Sequence, residues 1–149
     1  MTQIHSVVDN LYSAGQPSED EFAALARKGV RTIINLRQPS EPTDFDEAAV
    51  VPATGMRYVA IPVAGSQDLT PETVARFGRE LAKAQACGPV LVHCASANRA
   101  GALIALERAW VQGQTADSAL AAGRAGGLAG LEPAVIEHLQ QAGHANDIA

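Results

Sequence analysis

The chain has 149 residues, 47% of them apolar and 18% charged, a size and composition that fit one folded domain and exclude a disordered polymer. Eleven Lys and Arg against sixteen Asp and Glu leave a net charge of −5, the wrong sign for a nucleic-acid surface. No apolar run reaches the ~18 residues that cross a bilayer, the opening Met1–Ser6 lacks the basic and apolar regions of a secretory signal, and two cysteines are too few for a disulfide framework. The expectation is a single cytoplasmic domain over residues 1–149, with no nucleic-acid or membrane partner and an open oligomeric state.

Asn10–Pro17 reads as a short strand ending in a turn punctuated by Gly15 and Pro17. Ser18 is placed to cap a helix with Glu19, Asp20 and Glu21 in its first turn, Phe22, Leu25 and Ala26 facing inward, and Gly29 as its stop. Val30–Leu36, rich in β-branched residues, predicts a buried strand. A proline-containing loop over Arg37–Thr43 follows, then a short helix over Phe45–Val51 ended by Pro52, and a strand over Met56–Pro62. Thr70-Pro71-Glu72 is a helix start, and Val74, Phe77, Leu81 and Ala84 repeat on one face as far as Cys87-Gly88. Pro89–His93 is a wholly apolar strand apart from its last residue. Helices are expected over Asn98–Val111, with Leu103, Leu106 and Trp110 inward, from Thr115 to about Gly123, and over Glu132–Ala142, with Gly126-Gly127 breaking the chain between the last two. Strands separated by helices predict an α/β fold, a mostly parallel central sheet flanked by helices.

Specific chemistry is concentrated in His93-Cys94-Ala95-Ser96-Ala97-Asn98-Arg99-Ala100-Gly101. A cysteine at the carboxyl end of a buried parallel strand lies where open α/β sheets bind ligands. The next residues turn into a helix N-terminus, whose N–H groups and dipole attract an anion and favour the thiolate form of a cysteine. Arg99 offers a planar fork that matches two oxygens of a phosphate-like group. Thiolate, anion cradle and arginine together suit covalent catalysis on an oxyanion. The alternative is a cysteine buried for packing, with Arg99 in an ordinary ion pair.

His-Cys, a small loop, and Arg opening a helix resemble the phosphate-binding signature of protein tyrosine and dual-specificity phosphatases. Asn10–Ser18, Gly29–Arg37 and Tyr58–Val63 occur in the order seen in the bacterial phosphatase-like family that includes β-lactamase-hydrolase-associated domains. The resemblance covers residues 4–112 and implies a cysteine-phosphatase-like fold; no cofactor is expected, and no metal, for want of ligand spacing among the histidines. It implies hydrolysis of phosphate monoesters through a phosphocysteine on Cys94, with a phosphorylated protein or small phosphate ester as partner. Ala95, Ser96, Ala97, Asn98 and Arg99 would bind the substrate's oxygens, and His93 would support Cys94. The general acid would be an aspartate in the loop after the strand preceding that of the nucleophile, where Asp68 is the sole acid; Glu41, Asp44 or Asp46 could replace it.

Two departures from the signature bear on turnover. Four residues rather than five separate Cys94 from Arg99, and Ala97 and Ala100 stand where the signature tends to have glycine and a hydroxyl residue. A shorter loop has fewer inward N–H groups, alanine restricts positive φ, and the missing hydroxyl no longer stabilises the departing thiolate, so turnover would be slow or absent. The four-residue spacing is also that of rhodanese sulfurtransferases, with a Cys94 persulfide as the alternative chemistry. A further alternative is a catalytically inactive module that retains the oxyanion. Cys87 is expected to pack in the interior rather than pair with Cys94, and His5, His138 and His144 lack ligand spacing. The Gly123–Gly130 stretch follows a helix and reads as a connection rather than a nucleotide fingerprint.

Overall fold

The computed structural model describes residues 2–8 and 10–148, with side chains described through residue 141, so His144 lies outside the described side chains. Its sheet has five strands in the order β1-β2-β5-β3-β4. These are β1 (Ile4–Val8), β2 (Leu11–Ala14), β3 (Thr32–Asn35), β4 (Arg57–Ala60) and β5 (Val90–His93). β2, β5, β3 and β4 run parallel, and β1 adds an antiparallel edge through its pairing with β2. The sequence reading did not anticipate β1. Its residues are exposed or half-buried in alternation, as befits an edge strand that packs one face only.

The helices are α1 (Glu19–Arg27), α2 (Glu47–Ala53), α3 (Pro71–Gln85), α4 (Asn98–Trp110), α5 (Ala116–Ala125) and α6 (Glu132–Ile148). On one face of the sheet, Phe22, Leu25, Val51 and Met56 pack against Ile33 and Leu91. On the other, Phe77, Leu81, Leu103, Leu106 and Val135 pack against Ile34, Val90 and Val92. Alternate residues of β5 therefore enter opposite cores, as period-two geometry requires. The fold is mixed α/β with a mostly parallel sheet covered on both faces.

The helix starts are written in side chains. Ser18 and Glu21 form a reciprocal capping box at α1, and Thr70 accepts from the Thr73 amide at α3. Pro52 does not end its helix as expected but lies inside the last turn of α2. The amide it lacks would have bonded to the carbonyl of exposed Ala48, so the missing bond falls on the solvent side. Cys87 is exposed rather than packed, and its Sγ accepts from Arg57 Nη1 at 3.4 Å. Among the described residues, no helix is long and apolar enough to cross a membrane.

Candidate active site

The strand order brings three turns to one edge of the sheet. Ala14 of β2 and Asn35 of β3 both lie beside His93 of β5, so the turns after these strands flank Cys94 on either side. The Cys94 amide donates to the Ala14 carbonyl at 3.3 Å, and the Leu36 amide donates to the His93 carbonyl at 2.9 Å. Cys94 is fully buried and belongs to the apolar core with Val92, Ala100 and Leu103, rather than lying at the mouth of the loop. Ala95 and Ser96 form the exposed rim above it, beside an open depression of about 320 Å³ that His5 and Gln16 border.

Each turn of the loop is braced from outside. The Ala95 carbonyl accepts from the Gln16 amide at 3.3 Å, and it lies so near Gly15 that a Cβ there would stand 2.6 Å from it. Glycine at position 15 thus admits the backbone of the loop, which accounts for the Ala14-Gly15-Gln16 run. Ala97 adopts φ 72° and ψ −9°, the left-handed region, where the resembling signature tends to have glycine. Its methyl is 1% exposed and rests on Gly127, where an added Cβ would come within 2.6 Å of it. The Asn98 side-chain carbonyl accepts from the Ala129 and Leu131 amides at 2.9 and 3.2 Å. That oxygen ties the start of α4 to the α5–α6 connection. The glycine-rich stretch is therefore a buttress of the loop.

Arg99 bridges the loop to the rest of the site. Its Nη1 donates to Glu41 Oε2 at 2.7 Å and to the Val63 carbonyl at 2.8 Å, while Nη2 donates to Glu41 Oε1 at 2.8 Å. Hydrogen bonding from Arg99 is the largest effect lowering the Glu41 carboxyl, to about 2, and Glu41 in turn raises Arg99. The Cys94 side chain adds a smaller effect that raises Arg99 further. Glu41 uses the Nη1–Nη2 edge, and no described hydrogen bond involves Nε. Both Glu41 oxygens are thus engaged by Arg99 in this structure.

Of the other candidate acids, Asp68 holds the N–H end of the Val63–Ala64 peptide whose carbonyl accepts from Arg99. Asp68 is half-buried in a 3-10 turn (Ser66–Asp68), and its Oδ2 accepts from the Ala64 amide at 2.7 Å. No described hydrogen bond joins it to Cys94 or Arg99. Asp44 and Asp46 are exposed, and Asp46 precedes α2 without a side-chain cap.

His93 is fully buried against the Phe22 ring, with centroids 5.9 Å apart. Its Nδ1 faces the Cys94 carbonyl at 3.3 Å, and its Nε2 lies 2.6 Å from Glu47 Oε2. Glu47 also accepts from Gln16 Nε2 at 2.8 Å, and Gln16 accepts in turn from Arg37 Nη1 at 2.5 Å. Sequence reasoning missed Glu47 and the role of the Gln16 side chain. No local pattern marks a partner 46 residues away, as Glu47 is from His93.

A thiol at the end of the central parallel strand, followed by an arginine in the first turn of the next helix, defines the cysteine-phosphatase class of α/β fold. The chain belongs to the DSP-PTPase family described as phosphatase fused to NAD+ kinase, whose model matches residues 4–133. It is 39% identical over 108 residues to the β-lactamase hydrolase-like protein of Xylella fastidiosa strain Temecula1, covering 70% of this chain and 24% of that protein. The corresponding protein of Agrobacterium fabrum is 35% identical over 105 residues, covering 68% of this chain and 24% of that protein. The chain thus spans about a quarter of the length of these relatives. Among solved structures, a candidate phosphatase (DUF442) from Shewanella putrefaciens CN-32 is 29% identical, with a TM-score of 0.72 over 93% of this chain and 89% of that one. A candidate phosphatase from Neisseria meningitidis Z2491 is 25% identical, with a TM-score of 0.76 over 93% and 97%. The chain is phosphatase-type in family and in fold.

Proposed function

We propose that the protein is a cysteine-dependent phosphatase of the protein tyrosine and dual-specificity type, acting on phosphate monoesters. The observation that carries this reading is the hold of Glu41 on Arg99, whose Nη1 and Nη2 are fixed by its two oxygens in the first turn of the helix that follows Cys94. In the reaction, the Cys94 thiolate attacks phosphorus and an S–P bond forms as the bond to the leaving oxygen breaks. The guanidinium of Arg99 and the amides of Ala95–Arg99 hold the equatorial oxygens, which gather charge in the transition state. Asp68, released from the Ala64 amide as its loop moves, protonates the leaving oxygen. Water then attacks phosphorus, Asp68 takes the proton from it, and the S–P bond breaks to restore the thiolate. Ala100 brings no hydroxyl to the departing sulfur, so this second step is expected to limit turnover. The substrate is a phosphorylated protein or a small phosphate ester, and the setting is cytoplasmic.

The test is paired. Hydrolysis of p-nitrophenyl phosphate and sulfur transfer from thiosulfate to cyanide are measured for the parent and for Cys94→Ser. Hydrolysis abolished by Cys94→Ser supports the proposal. Sulfur transfer alone, lost in the variant, makes the protein rhodanese-like, and phosphate binding with neither activity makes it an inactive anion-binding module. With Asp68→Asn, the fall in rate with rising pH that marks loss of the acid's proton should vanish; an unaltered profile clears Asp68 of the role.

A further inference from the structure

A chain of polar contacts outside the anion pocket joins the two ends of the phosphate loop. It runs from His93 to Glu47 at 2.6 Å, from Glu47 to Gln16 at 2.8 Å and from Gln16 to Arg37 at 2.5 Å. Arg37 Nε then reaches Glu41 Oε1 at 3.2 Å, and Glu41 holds Arg99 by two bonds. The path begins on the residue before the nucleophile and ends on the guanidinium. It passes through the β2–α1 turn, the first residue of α2 and the β3–α2 loop.

Glu47 is the member whose placement needs a reason. An acid in the first turn of a helix gains from the dipole while still in water. Glu47 is instead 6% exposed and turned inward, a placement that costs free energy unless both oxygens are matched. They are matched, by His93 and by Gln16. The other ring nitrogen of His93 faces the Cys94 carbonyl, which only accepts. With Glu47 ionised both nitrogens meet acceptors, and a ring that carries two protons makes both bonds.

We propose that Glu47 is a positioning residue for Cys94: by holding His93 doubly protonated against the Cys94 backbone, it keeps the sulfur in the thiolate form that attacks phosphorus. Gln16 fixes Glu47 in place and ties it through Arg37 to the Glu41–Arg99 side of the loop. The charged groups facing this corner are Glu47 from α2 with Asp46 just before it, Arg99 from α4, and Glu41 and Arg37 from the β3–α2 loop. α1 contributes the Phe22 ring, β2 leads into the neutral Gln16, and β4 contributes Tyr58, whose hydroxyl pKa is raised by burial first and also by Glu47 and Asp46.

The sign of the effect separates this role from others. A carboxylate acting on the sulfur only through its charge would disfavour the thiolate, so Glu47→Gln would speed alkylation at acid pH. A carboxylate acting through His93 does the reverse, and a purely structural one leaves the pH profile in place. The inference rests on Cys94 being the phosphatase nucleophile, and the test keeps the two apart. Iodoacetamide alkylation of Cys94 is followed by intact mass across pH in a Cys87→Ser background, with and without inorganic phosphate.

Glu47→Gln is expected to slow alkylation about tenfold in mildly acid solution, displacing the profile to higher pH and leaving the alkaline rate unaltered. His93→Gln should do the same, and the double variant should be no slower than either single one, because the two act in series. If circular dichroism shows that Glu47→Gln does not fold, His93→Gln decides alone, slowed alkylation supporting the proposal and a parental profile overturning it. An unmoved or acid-shifted profile in folded Glu47→Gln overturns the role of Glu47 only. A parent whose Cys94 phosphate fails to protect would instead bring down the phosphatase reading itself.

Discussion

Replacing Glu41 by Gln removes one charge from the bidentate pair that holds Arg99, and the consequence depends on pH. Arg99 foremost, helped by the Gln38 amide and Arg37, holds the Glu41 carboxyl at about 2 instead of 4.5. Because the folded-state value lies below the unfolded one, the pair's contribution is complete above about pH 4.5 and is lost as pH falls towards 2. A fall of that size corresponds to about 3 kcal/mol. The Glu41 side chain keeps 22% of its exposure, and screening by solvent brings the figure nearer 1.5–2 kcal/mol. Glu41→Gln preserves shape and an acceptor for one nitrogen but leaves the guanidinium half-paired. Urea unfolding near neutral pH should show the variant less stable by about 1.5–2 kcal/mol, and melting should fall by about 3–8 °C. The gap between parent and variant should narrow by about half from roughly pH 6 to pH 3, since protonation takes from the parent what the variant already lacks. A gap that holds constant or widens over that range would refute the assigned pairing.

Arg99→Lys substitutes a point charge that cannot span both Glu41 oxygens and an anion, and kcat/KM for p-nitrophenyl phosphate should drop by about a hundredfold or more. Steady-state kinetics within a few-fold of the parent would contradict the proposed grip. In Gly15→Ala the new Cβ would stand 2.6 Å from the Ala95 carbonyl, so the loop must shift. The expected outcome is a loss of about 1–3 kcal/mol in thermal unfolding and weaker protection of Cys94 by phosphate. In Ala97→Gly, relief of about 1 kcal/mol of left-handed strain is offset by glycine's entropy and by the lost buried methyl, so melting should move by less than about 2 °C. Ala97→Val, which puts a branched side chain at a φ of 72°, should melt several degrees lower.

What the sequence disclosed and what it withheld divide along the distance over which each signal acts. The capping box of Ser18 and Glu21, the Thr70-Pro71 start and the apolar run of β5 are written within a few residues, and the helices and inner strands follow from them. The His93–Arg99 run is equally local, and it carried the family resemblance. β1 escaped notice because an edge strand needs apolar residues on one face only, and its five residues are too mixed to set a period. Glu41 looked like a free acid because its partner Arg99 is 58 residues away. Glu47 carried no mark at all. Such pairings are set by strand order: once β5 lies between β2 and β3, the turn holding Gln16 and the loop holding Arg37 and Glu41 must face each other across Cys94. The Gly-Gln-Pro and Asn-Leu-Arg segments are thus two arms of one clamp, though in the chain they read as separate turns. A side chain that belongs to such a clamp obeys the geometry of the sheet edge rather than the periodicity of its own element, which is why the residues that organise this site are the ones a linear reading passes over.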